Sequence, residues 1–285
     1  MNSSLYETHL HTPLCRHASG EPEAYAAVAL QRGLKGIIVT CHNPSNDGWS
    51  PDVRMHLSEF PDYLAMVTRA RQAWADQMDV RLGLESDYVP GMEPWLETLH
   101  RQVPFDYILG SVHPHLPDYK QRYFTGDIIT FQRTYLEHLA LAAETGLFDA
   151  LAHPDLVKIV HPAAWQPERL RDAIGRALDR IRATGVAMEL NTYGLHKNPA
   201  EMHPGPLILQ EMQQRGIPVV IGADAHQPHR VADHFEMALD ALAAVGYSEV
   251  NIFLNRRPHP VDIAAARRSL RLPQPKEEPT PTPSF

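Results

Sequence analysis

The sequence predicts an α/β fold, a barrel of parallel strands, and three observations carry that expectation. Short apolar, β-branched runs alternate with stretches of helical periodicity, the pattern of βαβ units around a parallel sheet. The rhythm continues for seven units without the break of a doubly wound sheet, and 285 residues suit such a barrel. Imidazoles and carboxylates gather after the strands, at the end where parallel barrels carry their chemistry.

The elements follow in order. A first strand leads into His9. The runs "LKGIIVT" (34–40), "VRLGLES" (80–86), "DYILGSV" (106–112), "FDALAH" (148–153), "VAMELNT" (186–192) and "PVVIGADAH" (218–226) supply six more, and "EVNIFLN" (249–255) is a short final strand. Between them, "EPEAYAAVALQRG", "FQRTYLEHLALAAETG", "ERLRDAIGRALDRIRATG", "LILQEMQQRG" and "FEMALDALAAVG" have helical spacing. Each ends on a glycine, Gly33, Gly146, Gly185, Gly216 or Gly246, placed to cap a helix C-terminus. Residues 1–270 form one barrel domain, and the Pro-rich, charged segment 271–285 is expected to be a disordered tail.

Composition excludes several classes. A net charge of -8 argues against nucleic acid, whose backbone needs clustered Lys and Arg. No apolar run approaches the ~20 residues of a membrane span, and the first residues lack the apolar core of a signal peptide. Two cysteines, Cys15 and Cys41, cannot build a disulfide framework, so a cytoplasmic protein is expected. The outlier is histidine, with 17 copies against 4 Trp. A histidine tag would be a continuous run, whereas His9, His11 and His17 are spaced irregularly.

Their placement is informative. The seven strands lead into "HLH", "CHN", "LES", "SVHPH", "AHPD", "ELNTYG" and "ADAH", and six of the seven carry His, Glu or Asp at the same end, the Glu of "ELNTYG" standing further back within its run. His9 and His11, like Asp224 and His226, stand two apart, so on an extended strand each pair faces one way. A single His at a strand end is ordinarily a hydrogen-bonding residue, but six coincident strand ends indicate a polynuclear metal site. Neutral imidazoles with carboxylates suit Zn, Mn or Fe. Two superfamilies begin from His-x-His after the first barrel strand. The amidohydrolases add a Lys or Glu after strand four, where this chain has "SVH" without a Lys.

The motifs "HLHTPLCRHASG", "GLESDY", "GSVH", "AHPDLVK", "ELNTYGLHKNP" and "GADAHQPHRV" resemble, in order, those of the histidinol-phosphate phosphatases of the polymerase-and-histidinol-phosphatase (PHP) family. They extend to about Arg257. The resemblance implies a distorted seven-stranded β/α barrel holding up to three divalent ions. It places one ion on His9, His11, Glu85 and Asp224, with Glu85 bridging to a second on His113 and His153. A third would lie on His17, His42 and His226. It also implies hydrolysis of a phosphomonoester by a hydroxide bridging the ions, with Glu85 and Asp224 as the catalytic carboxylates and Asp224 orienting or deprotonating the nucleophile. Lys158, His196, Lys197 and Arg230 are the candidates for gripping phosphate. Cys15 is expected to be a packed loop residue and Arg16 a surface residue. His115 and His229 are possible neighbours of the ligands. His56, His100, His138, His161, His234 and His259 are expected on the surface or on helices.

Three departures bear on the substrate. The family's second motif usually has Asp-His where this chain has Cys41-His42. "GLHK" puts His196 where the family has an Arg, and "PHLPDYK" replaces an acidic, Trp-containing loop after "SVH". The alternatives are a PHP phosphoesterase for another small monoester or diester, a nuclease or proofreading domain, and a metal-stabilised scaffold. Neither a polymerase module nor a basic stripe supports the nuclease. Ligand sets on six strand ends argue against a scaffold.

Overall fold

A computed structural model describes residues 5–271, so the expected tail lies, apart from Arg271, outside the described residues. Seven parallel strands form one sheet in sequence order. They are β1 (Tyr6–Glu7), β2 (Gly36–Val39), β3 (Asp79–Asp87), β4 (Tyr107–Ser111), β5 (Ala150–Leu151), β6 (Ala187–Asn191) and β7 (Val219–Gly222). The edges meet just beyond β1 and β7, where Leu10 bridges Ala225. There His11 N donates to Ala225 O and Ala225 N to His9 O, both at 2.9 Å. The sheet therefore closes as a barrel, and the closing bonds belong to the segments that carry His9, His11 and Asp224.

Strands buried on both faces need unbroken apolar runs, and β2, "GIIV", is buried throughout. β1 and β5 are only two residues long, which distorts the barrel. Nine α-helices are described: α1 (Pro22–Gln31), α2 (Phe60–Trp74), α3 (Glu93–His100), α4 (Pro117–Tyr123), α5 (Ile128–Glu144), α6 (Arg171–Thr184), α7 (Pro206–Gln214), α8 (Phe235–Val245) and α9 (Ile263–Ser269). α6 buries Ile174, Ala177, Leu178 and Ile181, a stripe at helical spacing against the barrel. All five glycines expected to cap helices have positive φ.

Two features depart from the sequence reading. The final strand, β8 (Glu249–Leu254), lies outside the barrel and pairs antiparallel with β9 (Arg257–Asp262). Asn255 and Arg256 both have positive φ, as a tight two-residue hairpin turn requires. Helices α2, α3 and α4 fill the long connections between β2 and α5. α2 buries only Phe60, Tyr63, Val67 and Ala70 among many polar residues, a weak pattern in sequence.

Candidate metal centre

Glu85, near the C-terminal end of β3, is the hub. It is 1% exposed. Its Oε2 lies 2.7 Å from His42 Nδ1, 3.5 Å from His9 Nε2 and 3.6 Å from His11 Nε2. Its Oε1 lies 3.1 Å from His153 Nε2 and 3.3 Å from His113 Nε2. Five imidazoles thus share one buried carboxylate. Burial alone would raise its pKa, but the charge of His42, His113 and His9 outweighs this and holds it well below the usual range.

Asp224 follows β7. Its Oδ1 lies 3.0 Å from His11 Nε2 and 3.5 Å from His9 Nε2. Burial opposes ionisation here too, and His9 together with the His11 hydrogen bond holds the carboxyl well below its usual range. The backbones of His153 and Asp224 have φ of 30° and 50°. Asp224 and His226 therefore do not share an extended strand as the two-residue spacing suggested. The chain turns at Asp224, and both side chains still reach the centre. Non-glycine residues in this region cost about 1–3 kcal/mol and cluster at functional sites.

Two tests support a fit to cations. His17 Nδ1 donates to Cys15 O at 2.7 Å and His226 Nδ1 to Asp224 O at 2.9 Å, which leaves both Nε2 atoms as bare acceptors. Those two Nε2 atoms face each other at 2.9 Å. Lone pairs so placed repel unless a proton or cation lies between them. Neither ring favours a proton: burial and neighbouring imidazoles lower both pKa values, that of His226 strongly. In addition, His9 Nε2, His11 Nδ1, His42 Nδ1, His153 Nδ1 and Glu85 Oε2 are buried without hydrogen-bond partners. Burying so many polar atoms unpaired is expensive. Groups close enough to share an ion include His9, His11 and Asp224; His11, His42 and Glu85; and His17, His42 and His226.

Carboxylates behind the histidines set their orientation. His9 Nδ1 bonds Glu189 Oε1 at 2.8 Å and His113 Nδ1 bonds Asp87 Oδ1 at 2.5 Å, each pointing its Nε2 at Glu85. Asp87 also receives Arg54, and burial loses to that cation and to His113, so its pKa falls below the ordinary carboxylate range. Glu189 needs a glycine opposite: a Cβ on Gly222 would meet Glu189 Oε1 at 2.2 Å and His9 Cβ at 2.6 Å. The centre forms the floor of a cavity of about 280 Å³, small beside usual ligand pockets. Its walls include Val53, Leu116, Leu156, Tyr193, Lys197 and His203.

A model of the PHP domain matches residues 7–193. The chain belongs to the PHP family. A "Probable histidinol-phosphatase" of Deinococcus radiodurans is 37% identical, over 90% of this chain and 100% of that protein. The "Histidinol-phosphatase" of Bacillus subtilis is 28% identical, over 81% of this chain and 97% of that protein. Among solved structures, the histidinol phosphate phosphatase of Lactococcus lactis, complexed with Zn, L-histidinol and phosphate, has a TM-score of 0.76 at 18% identity. That alignment covers 89% of this chain and 98% of the other. It bears on the fold alone.

The PHP barrel brings all nine expected ligand residues together. It does not do the same for the expected phosphate grip. Lys197 lines the cavity, its ammonium 4.5 Å above the Tyr193 ring. Lys158 does not: it is fully buried and donates to Asp155 at 3.0 Å, Glu201 at 2.9 Å and Met202 O at 2.7 Å, which takes all three protons. His196 and Arg230 also lie outside the cavity wall, both drawn to Asp233 at 2.9 and 2.7 Å. His138 is on helix α5 as expected but buried, with Tyr119 Oη 2.8 Å from its Nδ1. Asp87, Glu189, Asp155 and His203 received no role from sequence. Asp87 stands two residues after Glu85 and Glu189 within "ELN", but nothing in either spacing names the histidine each would hold.

Proposed function

We propose that this chain is a cytoplasmic phosphomonoesterase that hydrolyses L-histidinol phosphate to L-histidinol and phosphate. Its relatives in Deinococcus radiodurans and Bacillus subtilis bear that activity in their names, and the first aligns along its whole length. The observation that carries the chemistry is the pair of bare Nε2 atoms of His17 and His226 beside the shared carboxylate of Glu85. We assign up to three divalent transition-metal ions, Zn, Mn or Fe, to this cluster. His9, His11, Glu85 and Asp224 hold the first, Glu85, His113 and His153 the second, and His17, His42 and His226 the third. We assign the activity to the barrel domain of residues 1–270.

Bound ions supply positive charge for the phosphate oxygens and lower the pKa of coordinated water. The chain does the rest. Asp224 lines the cavity with an ionised carboxylate that orients the attacking water. Lys197 offers the phosphate dianion a cation from the wall. Leu116, Leu156 and Val53 present an apolar face to the organic part of the ester.

Steady-state kinetics on L-histidinol phosphate against a panel of phosphomonoesters and diesters tests this. A higher kcat/KM for L-histidinol phosphate supports it, and a preference for another ester refutes the specificity. The second reading, a PHP phosphoesterase for another small ester, draws on the retreat of Lys158, His196 and Arg230 from the cavity. No nucleic acid or membrane partner enters either reading, and no described helix is long and apolar enough to cross a membrane.

A further inference from the structure

The cavity wall holds two imidazoles that the metal cluster does not use, His115 and His203. His203 lies between β6 and α7 and is 2% exposed. Its backbone is tied to the end of β6 in both directions: His203 N donates to Asn191 O at 2.9 Å, and Asn191 N donates to His203 O at 2.7 Å. Its Nδ1 lies 2.6 Å from Asp155 Oδ1. Asp155 is itself held by Lys158 at 3.0 Å and by Gly205 N at 2.8 Å. A carboxylate only accepts, so Nδ1 carries the hydrogen. The other nitrogen, Nε2, is buried and has no partner, and the side chain lines the cavity. Gly194 makes room for it, since a Cβ there would stand 2.8 Å from His203 Cδ2.

This arrangement fixes more than position. With the hydrogen on Nδ1, the Nε2 of a neutral ring is an acceptor and seeks an N–H or O–H. Burial favours the neutral ring, lowering its pKa despite the neighbouring Asp155. Of the acceptors nearest the centre, Glu85 Oε1 and Asp224 Oδ1 are already engaged by His153 and His11. His115 also has an unpartnered buried nitrogen in this wall, but no carboxylate bond fixes which of its nitrogens carries the hydrogen.

We propose that His203 is a specificity-determining residue: its Nε2 accepts a hydrogen bond from the ammonium group of the substrate's organic moiety. Resting on the phosphatase reading, this deepens it by separating the two ends of the ester. Phosphate lies at the metal floor near Lys197. The ammonium lies against the wall that Asp155 and Lys158 brace. Neutral imidazole suits this task because it accepts from a cation without adding another anion beside the phosphate.

The test compares wild type, His203→Ala and His203→Gln on three probes: L-histidinol phosphate, 3-(imidazol-4-yl)propyl phosphate, which lacks only the amine, and p-nitrophenyl phosphate. Hydrogen bonds to charged groups are worth about ten- to a hundredfold in binding. In His203→Ala the rise in KM for L-histidinol phosphate should exceed that for the amine-free ester by at least tenfold, with kcat nearly unchanged. His203→Gln, whose amide oxygen can accept, should recover part of the difference. Equal losses on both imidazole esters would overturn the proposal and leave His203 a structural residue. A fall in kcat on both of these but not on p-nitrophenyl phosphate, whose leaving group needs no acid, would overturn it in favour of proton donation. No change on any probe would show the residue idle. A wild type that turns over none of the three defeats the phosphatase reading itself, a failure distinct from lost discrimination in an active enzyme.

Discussion

Replacing Glu85 by Gln preserves shape and removes one charge from the centre of five imidazoles. At an effective dielectric near 20, unit charges ~3 Å apart interact by ~5 kcal/mol. The amide keeps an oxygen ligand and part of its dipole, so the net loss of cation affinity is on the order of 3–4 kcal/mol, a factor of 10²–10³ in Kd. Because ions bind the folded state, the same loss should appear in stability. Metal added at a hundred times the wild-type Kd stabilises wild type by ~2.7 kcal/mol and the variant hardly at all. The assay is a pair of melting curves, with and without added Zn, alongside elemental analysis and p-nitrophenyl phosphate turnover. Wild-type metal content and a kcat within threefold of wild type in Glu85→Gln would refute the assignment of this carboxylate as a shared ligand.

Two other predictions follow from the side chains behind the centre. Glu189→Gln removes the charge from the anchor of His9 Nδ1 while leaving every proposed ligand in place, so metal affinity measured by chelator competition should fall about 10–100-fold; an unchanged affinity would show the charge of the anchor to be dispensable. Lys158→Met leaves Asp155 buried beside only His203 and Gly205, and should lower unfolding free energy by ~3–5 kcal/mol. Had Lys158 instead been a phosphate ligand, the variant would keep its denaturation midpoint and raise KM for every phosphomonoester.

Legibility in the sequence divides along physical lines. Parallel strands buried on both faces produce "GIIV" and "VVIG", runs that are visible without a structure, and catalytic ends of strands can then be read as whatever follows them. Glycine caps such as Gly185 mark helix ends because only a left-handed residue continues the chain there. The anchors were not legible. Glu189 reaches His9 across 180 positions and Asp155 reaches His203 across 48, pairings that exist only once the barrel closes. Lys158 misled because a lysine after "HPDLV" is equally compatible with a ligand-facing and an inward side chain, and two carboxylates decide between them. His138 was legible as a helix residue, but its burial shows only through its neighbours, here Tyr119.

The balance of buried charge yields the last prediction. Around the centre, Asp87 has Arg54 and Asp155 has Lys158, but Glu85, Glu189 and Asp224 have only imidazoles. Without metal, protons must supply the missing charge. Despite burial, the carboxylates raise His9 well above its ordinary pKa. The Asp224 hydrogen bond helps push His11 up to about 9, and Asp87 with Glu85 pushes His113 up to about 10. These rings bind more protons folded than unfolded, so their contribution to stability is complete below the unfolded value of ~6.5 and is lost as pH rises through 9 and 10. Metal-free protein should therefore weaken in alkali over that interval, and metal-loaded protein should not. Loading must also displace those protons, because a ligand nitrogen cannot hold both. Titrating Zn into metal-free protein at pH 7 in weak buffer should release on the order of three protons per chain, falling toward one as the pH approaches 10. Tight binding without proton release at pH 7 would mean that the ions do not sit on His9, His11 and His113, and that the negative surplus around Glu85 is balanced some other way.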